Sequence, residues 1–402
     1  MTEIEILKKF PPGFYLVGGA VRDVVLGYKP KDYDLIAVGY TPQQLIEMGG
    51  IAVDPKTAIP VFLFSVEGQK VEVALPRKEI KNEVGYKGFK FVTGPEISLE
   101  EDLRRRDFTI NTLAMDHQGK IYDFFGGLED LRNKIIKAVN PLAFTEDPLR
   151  VLRAARFAAK GFNVDSSTLN LMNKISLEEL KTLPVERFTG ELLKALKEKN
   201  FGMFLTVLGK VPNACQVFFP ELLKSKEIPA GPAEYHSEKI LFNHIINVVE
   251  QCKTVEGRFA ALFHDLGKIL IPKELWPKFP GHDLEGIKIV EKIKQRWKGI
   301  KSGLFKVALY VVEMHMKMHF NLRPSTMIKM AERAIKNGAE KALIEVAIAD
   351  GAPINNINSF KKAINVASLP VRELGVTLTG KAPKDIYNII LAARVARMKQ
   401  GG

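Results

Sequence analysis

A glycine pair behind a short apolar segment, followed by two aspartates ahead of another, constrains this chain more than any other feature. The run is Phe14-Tyr-Leu-Val-Gly18-Gly19-Ala-Val-Arg22-Asp23, continuing to Lys31-Asp32-Tyr33-Asp34-Leu-Ile-Ala-Val38. Glycine at such a turn lets backbone N–H groups approach phosphate oxygens without a side chain in the way, and Arg22 adds charge at the start of a helix. Alternate side chains of an extended chain share a face, so Asp32 and Asp34 are placed to hold the Mg²⁺ ions of an in-line phosphoryl transfer while Tyr33 points away. Gly-Gly pairs and Asp-x-Asp triplets are each common in ordinary turns. Their joint order, strand, glycines, arginine, aspartates, strand, points to a triphosphate site with a metal site beside it.

A third carboxylate would complete such a site. Val61-Phe-Leu-Phe-Ser65, Glu67-Gly68 and Lys70-Val71-Glu72-Val73-Ala74 read as two strands joined by a tight turn. Glu72 alternates against Val71 and Val73, and is either a third metal ligand facing the aspartates or an ordinary solvent-facing glutamate. In Glu101-Asp-Leu-Arg104-Arg105-Arg106-Asp107-Phe-Thr-Ile-Asn111 the basic run suits a phosphate clamp, with Arg106 on triphosphate oxygens and Asp107 expected to orient it. The segment Thr145-Glu-Asp147-Pro148-Leu149-Arg150-Val-Leu-Arg153-Ala-Ala-Arg156-Phe157 opens with acids and proline, as a helix start should. Asp147, Arg150 and Arg153 rise on one face while Leu149, Leu152 and Phe157 pack inward. They are either exposed ion pairs or an acceptor beside a fork of donors, able to read the polar edge of cytosine or adenine.

Five strings in order carry a family resemblance: Leu-Val-Gly-Gly-Ala-Val-Arg-Asp, Lys-Asp-Tyr-Asp, Arg-Arg-Asp-Phe-Thr-Ile-Asn, Glu-Asp-Pro-Leu-Arg-Val-Leu-Arg-Ala-Ala-Arg-Phe, and Pro184-Val-Glu186-Arg187-Phe-Thr-Gly-Glu191. Across nearly its whole length the chain resembles the class II tRNA nucleotidyltransferases, the bacterial CCA-adding enzymes. The resemblance implies that Asp32 and Asp34 hold Mg²⁺ and that Gly18, Gly19, Arg22 and Arg106 bind the incoming triphosphate. It implies further that Asp147 and Arg150 act as an amino-acid template pairing with CTP or ATP, with Arg153 and Arg156 in the same pocket. Glu186 and Arg187 would support that pocket from the next helix; taken alone, a Glu-Arg pair reads as a surface ion pair at a helix start. The implied partners are the 3′ end of tRNA, CTP and ATP.

The second half carries a different constellation: His244 in Leu-Phe-Asn-His-Ile-Ile-Asn, then Phe259-Ala-Ala-Leu-Phe-His264-Asp265-Leu-Gly267-Lys268. A buried aspartate needs a counter-charge, and a divalent metal held with His244, His264 and Asp265 would supply it. His282, His315 and Asp350 could extend the site. Together these resemble an HD-superfamily phosphohydrolase domain, which implies a divalent metal (Ni²⁺, Mn²⁺ or Mg²⁺) and phosphatase, 2′-nucleotidase and 2′,3′-cyclic phosphodiesterase activities. Two departures bear on this. Asp350 stands in Ala-Ile-Ala-Asp-Gly-Ala-Pro, where the pattern calls for an acid before it and an arginine after. The methionine-rich Glu313–His319 segment reads as a packed helix rather than a ligand cluster. His236 and His319 lack any such context and read as surface or core residues.

Composition agrees with an enzyme that meets nucleic acid. Lys+Arg number 59 against 46 Asp+Glu, for a formal charge of +13 and a pI near 9.4, a balance that favours a polyanionic partner. Cys215 and Cys252 are far apart and imply neither a disulfide framework nor a zinc site. No stretch approaches a membrane span, so a cytoplasmic location is expected. The fold class expected is α+β: a small polymerase-beta-like nucleotidyltransferase α/β head over 1–139, a helical neck over 140–225, a helical HD domain over 226–350 and a helical tail over 351–402. The tail helix, with Lys381, Lys384, Arg394 and Arg397, presents either a tRNA contact or a solvated basic face. Glu79 to Phe91, with Gly85 and Gly88, reads as a flexible loop. A poly(A) polymerase shares the head and neck motifs, but the HD-like half argues against it. A phosphohydrolase with a non-catalytic RNA-binding head would require an inactive carboxylate pair. A pure scaffold needs neither metal-ready group.

Overall fold

Between Phe14 and Ala74 five short strands form, among them Gln69–Ala74, in which exposed Glu72 alternates with buried Val71 and Val73, and these strands build most of the sheet that carries the first site. In the computed structural model, which describes residues 2–54, 60–81, 88–232, 234 and 238–400, the chain divides into two compact units. One comprises Met1–Pro184 with Lys210–Val217, the other Val185–Gly209 with Phe218–Gly402. The four segments proposed from motifs are therefore a division by chemistry, whereas packing groups the chain into two bodies.

The first unit is organised on a seven-stranded mixed sheet of order β3-β4-β5-β2-β1-β8-β9. Its strands are β1 (Phe14–Val17), β2 (Tyr33–Ala37), β3 (Ile51–Ala52), β4 (Val61–Val66), β5 (Gln69–Ala74), β8 (Ala114–Met115) and β9 (Ile121–Tyr122). Two further strands, β6 (Arg77–Lys81) and β7 (Phe89–Thr93), pair antiparallel as a separate ribbon. The span expected to be a flexible loop is thus partly β-ribbon, because alternating side chains such as Ile80 and Phe91 let two strands pair; Gly85 lies outside the described residues. The expected β4–β5 hairpin is present. Its two-residue turn has positive φ at both Glu67 (49°) and Gly68 (81°), the twist that matches strands closed by a tight turn. The pair β2–β5 is parallel, so the hairpin is laid beside β2 rather than continuing a meander.

Beyond the sheet the unit is mostly helical, with a short parallel pair, Ile135–Ile136 with Asn163–Val164, as the exception. Phe108 is fully buried and packs edge-on against Phe157 (centroids 5.6 Å apart) and beside Phe144 (6.0 Å). These contacts fasten the helix Leu149–Ala159 to the segment that follows the arginine run.

The second unit is helical among the described residues. Its core gathers around Trp297, whose ring lies 5.2 Å from Phe188, 5.0 Å from Phe219 and 5.9 Å from Phe263, and whose indole N–H donates to the Phe218 carbonyl at 3.1 Å. The tail helix spans Pro383–Gln400 and has no buried residue. Its Arg394 is not free in solvent, since it donates to Glu332 at 2.5 Å. No helix among the described residues is long and apolar enough to cross a membrane.

Both cysteines are free and buried, Cys215 in the first unit and Cys252 in the second. Burial, reinforced by Glu345, pushes the Cys252 thiol up to about 12. A thiol reagent at pH 8 should therefore label neither cysteine in the native protein and both after denaturation, as read by mass spectrometry; rapid native labelling of Cys252 would contradict this packing.

Candidate active sites

The parallel register of β2 and β5 sets Asp34 directly opposite Glu72. Side chains at paired positions of adjacent strands share a face, so the reading of Glu72 as a neighbour of the aspartates, rather than an unrelated surface glutamate, is the geometry found. Tyr33 is buried on the opposite face, while Asp32, Asp34 and Glu72 are exposed. Asp34 and Glu72 line a cavity of about 240 Å³ together with Ala74, Arg77, Arg105 and Arg106. Although Asp34 stays open to solvent, the groove strips enough water to raise its carboxyl above the ordinary value; Glu72 and Asp32 push the same way and Arg106 opposes them. A divalent cation would relieve that like-charge pressure, so the residues fit a metal.

The glycine pair divides its work. Gly18 caps the helix Gly19–Val25 with φ of +66°, and a Cβ there would stand 2.8 Å from Arg106 Nη1. A Cβ at Gly19 would meet only ordinary contact, 3.6 Å from Arg22 Nη2. Glycine is thus demanded at Gly18, where the backbone turns left-handed and the guanidinium passes close. Arg22 Nη1 donates to Asn111 Oδ1 at 2.8 Å and Nη2 to Asp23 at 3.0 Å, which holds it beside this turn.

Asp107 does not orient Arg106 by a hydrogen bond, contrary to expectation. Arg106 Nη2 donates to Asp102 Oδ2 (3.3 Å) and Nη1 to the Asn111 carbonyl (3.3 Å). Asp102 lies four residues back, one turn away at the helix Leu99–Arg104, whereas an adjacent side chain points elsewhere. Arg106 Nε is buried and has no acceptor among the described residues. Asp107 instead accepts from the Phe108 N–H (2.8 Å), Asn111 Nδ2 (2.9 Å) and Arg153 Nε (2.6 Å).

On the helix Leu149–Ala159, Arg150 is not an exposed ion-pair partner. It is buried, its Nη2 donates to the Arg105 carbonyl at 2.6 Å, and its buried Nη1 has no acceptor among the described residues. Asp147 lies 3.8 Å from Arg150 Nε and accepts the N–H of Leu149, the first residue of the helix, at 3.0 Å. Arg153 shares that face through Asp107, and Arg156 is half-buried, its guanidinium 4.9 Å from the Phe157 ring centre. Glu186 and Arg187 are both exposed, on the first turn of the helix Val185–Ala195 in the second unit. Asp102 and Asn111 hold Arg106 and Arg22; Asn111 closes the Arg-Arg-Asp-Phe-Thr-Ile-Asn string, but the Arg22 it meets lies 89 residues earlier, a separation that no local pattern spans.

In the second unit His244, His264, Asp265, His282, His315 and Asp350 converge, all of them drawn from an apolar interior. His244 Nε2 lies 3.2 Å from His264 Nε2, 3.4 Å from Asp265 Oδ2 and 3.1 Å from Asp350 Oδ1. Asp265 Oδ1 faces His282 Nε2 at 3.2 Å and His315 Nε2 at 3.5 Å. The Nδ1 atoms of His264, His282 and His315 each meet the carbonyl three residues back, at Ala261, Phe279 and Val312, within 2.8 to 2.9 Å. That bond makes Nδ1 the donor and turns Nε2 toward the cluster, an arrangement that could serve a metal. Burial pushes His264 down to about 4, so its ring is neutral. For His244 burial works against protonation, but hydrogen bonds donated to Asp265 and Asp350 outweigh it and raise the ring to about 9; a cation would displace that proton. Burial opposes ionisation of Asp265, yet Lys268 and the histidines hold it well below its ordinary value.

His319, read from sequence as unremarkable, hydrogen-bonds Asp350 Oδ2 at 2.9 Å and joins the site. The methionine-rich segment packs as expected, with Met314 and Met318 buried, and His315, where the helix tightens into a 3₁₀ turn, faces Asp265 and His282. His236 lies outside the described residues.

Burial raises the pKa of Asp102 while Arg105 and Arg106 lower it, leaving it below the ordinary value. Its contribution to stability is thus present above the normal carboxylate range and is lost as pH falls through the folded-state value. Asp102→Asn should cost about 3 kcal/mol at neutral pH in denaturant unfolding. The gap from the parent protein should narrow below about pH 4, and a pH-independent gap would refute the charge argument.

Two family models match in order: the poly A polymerase head domain over residues 14–137 and the HD domain over 241–350. The multifunctional CCA protein of Pasteurella multocida is 43% identical over 355 residues, covering 84% of this chain and 83% of its own. That of Hahella chejuensis is 44% identical over 330 residues, covering 79% and 76%. Among solved structures, the Bacillus stearothermophilus CCA-adding enzyme in complex with CTP superposes over 99% of this chain and 92% of its own, with a TM-score of 0.63 at 24% identity, a likeness of fold. With both site constellations present and this identity over most of its length, the chain belongs to the multifunctional CCA protein family.

Proposed function

We propose that this protein adds C, C and A to the 3′ end of tRNA, without a nucleic-acid template, from CTP and ATP with release of pyrophosphate. We infer also that its HD half hydrolyses phosphate esters, as phosphatase, 2′-nucleotidase and 2′,3′-cyclic phosphodiesterase. The observation that carries the first reading is Asp34 set opposite Glu72 on adjoining parallel strands, in a groove that Arg106 also lines.

In this reading the 3′-hydroxyl of the RNA attacks the α-phosphate of the incoming nucleotide, the new O3′–P bond forming as the bond to pyrophosphate breaks. Asp32 and Asp34, with Glu72, would hold Mg²⁺, which when bound lowers the pKa of the attacking hydroxyl and offsets charge on the phosphates. Gly18 and Gly19 leave room for the triphosphate at the turn. Arg22, held by Asn111, and Arg106, held by Asp102, would grip its oxygens; the buried Arg106 Nε has no acceptor among the described residues and suits a phosphate oxygen. Asp147 and Arg150 would choose the base, the carboxylate accepting from an exocyclic amine and the guanidinium donating to a ring or carbonyl acceptor. Arg150 Nη1, also without an acceptor among the described residues, is the donor available for that task. Arg153 and Arg156 would complete the pocket, and Glu186 and Arg187 would support it.

In the HD half, His244, His264, Asp265 and Asp350 would hold a divalent cation, with Ni²⁺, Mn²⁺ and Mg²⁺ the candidates. Such an ion supplies Lewis acidity toward a phosphoryl group. Lys268 and His319 would position the two carboxylates. They and Lys278 border a cavity of about 600 Å³ that reaches Asp265 and Asp350.

The deciding experiment is extension of a tRNA transcript lacking its last three nucleotides, with Mg²⁺ and CTP, ATP or both. Two C residues with CTP and a final A on adding ATP are expected, and the double substitution Asp32→Ala plus Asp34→Ala should reduce the rate by about a thousandfold or more. A long A tail would instead mean a poly(A) polymerase. Asp147→Ala should relax base choice, lowering discrimination against UTP and GTP by about tenfold to a hundredfold, while addition of correct nucleotides persists; unchanged selectivity would remove Asp147 from base recognition.

A further inference from the structure

We propose that the cavity beside the HD cluster is a nucleotide site in which Phe320 stacks on the base and Lys278 binds a phosphate other than the one being hydrolysed, so that these two residues set a preference for nucleotides over simple phosphate esters. The proposal rests on the phosphohydrolase reading of this half and adds to it the recognition of the part of the substrate that is not cleaved.

Asp265 and Asp350 line a cavity of about 600 Å³. A cavity of that size holds a whole small-molecule ligand. The buried cluster needs only the phosphoryl group, so the rest of the space belongs to the rest of the substrate. Two groups along it have no task within the protein. Phe320 is 58% exposed, and its ring meets no other ring among the described residues. Lys278 is exposed too, and its ammonium pairs with no carboxylate among the described residues.

The backbone nevertheless holds both in place. The Phe320 N–H donates to the Lys317 carbonyl at 3.3 Å, and the preceding side chain, His319, is tied to Asp350 Oδ2 at 2.9 Å. Adjacent Cα atoms lie about 3.8 Å apart, so the free ring starts one residue from a group fixed to the cluster. The Lys278 N–H donates to the Leu275 carbonyl at 3.1 Å. Phe279, which follows it, has φ of +48°, a conformation that a bulky side chain seldom adopts. Its ring is buried, 5.5 Å from the Lys268 ammonium. That turn keeps Phe279 in the wall and leaves its lysine neighbour in solvent, and backbone strain of this kind persists where the surroundings impose it, often at functional sites.

The chemistry of the wall follows. A free aromatic face takes the flat ring of any base by stacking. Met316 and Pro353, which line the same cavity, are apolar as well. An ammonium unpaired with either buried carboxylate takes an anion. A flat ring, an anion and a cleavable ester on one small molecule describe a nucleotide that carries a second phosphate.

The test follows hydrolysis by the full chain, with Ni²⁺, Mn²⁺ or Mg²⁺ supplied, of adenosine 2′-phosphate, adenosine 2′,5′-bisphosphate and glycerol 2-phosphate, which has no base. Phe320→Ala should raise KM for both adenosine esters by about tenfold or more, with kcat held, and leave glycerol 2-phosphate unchanged. Phe320→Trp, which keeps an aromatic face, should restore the parent values. Lys278→Ala should raise KM about tenfold for the bisphosphate alone. Equal losses on glycerol 2-phosphate and the adenosine esters would mean that Phe320 shapes the cluster rather than holding the base, and would overturn the proposal, as would an unchanged KM for the adenosine esters. An unchanged KM for the bisphosphate in Lys278→Ala would overturn the role given to the lysine. A parent chain that hydrolyses none of the three would overturn the phosphohydrolase reading itself.

Discussion

One buried carboxylate, Asp107, ties together the parts of the first site that lie far apart in sequence. It accepts hydrogen bonds from its neighbour's backbone, from Asn111 and from Arg153. Asn111 in turn accepts from Arg22, the arginine beside the glycine turn, and Arg153 belongs to the helix that carries Asp147 and Arg150. A carboxylate removed from water is tolerated only if its charge is met, and here the groups that meet it are the ones that must be placed. Burial raises the Asp107 pKa, but Arg153 leads a set of partners that brings it below the ordinary value, so the anion persists at neutral pH.

The same economy governs the second unit with a different outcome. Around Asp107 and Asp102 the positive charge comes from arginine side chains, and the carboxylates are consumed in holding them. Around Asp265 the Lys268 ammonium reaches the carboxylate, and among the histidines near it His264, His282 and His315 have their outward nitrogens committed to backbone carbonyls. The two units therefore meet their buried acids differently, the first with arginines and the second with a lysine and histidines.

Much of this was legible in the chain itself. The glycine turn, the Asp-x-Asp triplet and the hairpin through Glu72 follow from strand periodicity and turn chemistry, which are local. The His264-Asp265 pair stood out because an acid on an apolar helix demands compensation. What was misjudged depended on partners distant in sequence. Asp107 was assigned to its neighbour Arg106, although adjacent side chains diverge and the real partner lies 46 residues away. His319 had no informative neighbours in the chain, and its role arises only because Asp350 comes to rest beside it.

Sequence alone thus determined which chemistries are present: two exposed aspartates two apart behind a phosphate-sized turn, an acceptor and donors on one helical face, and a His-Asp pair in an apolar run. These are properties of spacing, and spacing sets local geometry through the fixed periods of strand and helix. Tertiary structure alone decided that β5 pairs parallel with β2, bringing Glu72 opposite Asp34, and that Asp265 offers one oxygen to each of two histidine pairs. Strand register and the convergence of helices are set by long-range packing of buried faces, in which each contact depends on many others, and no local pattern encodes that sum.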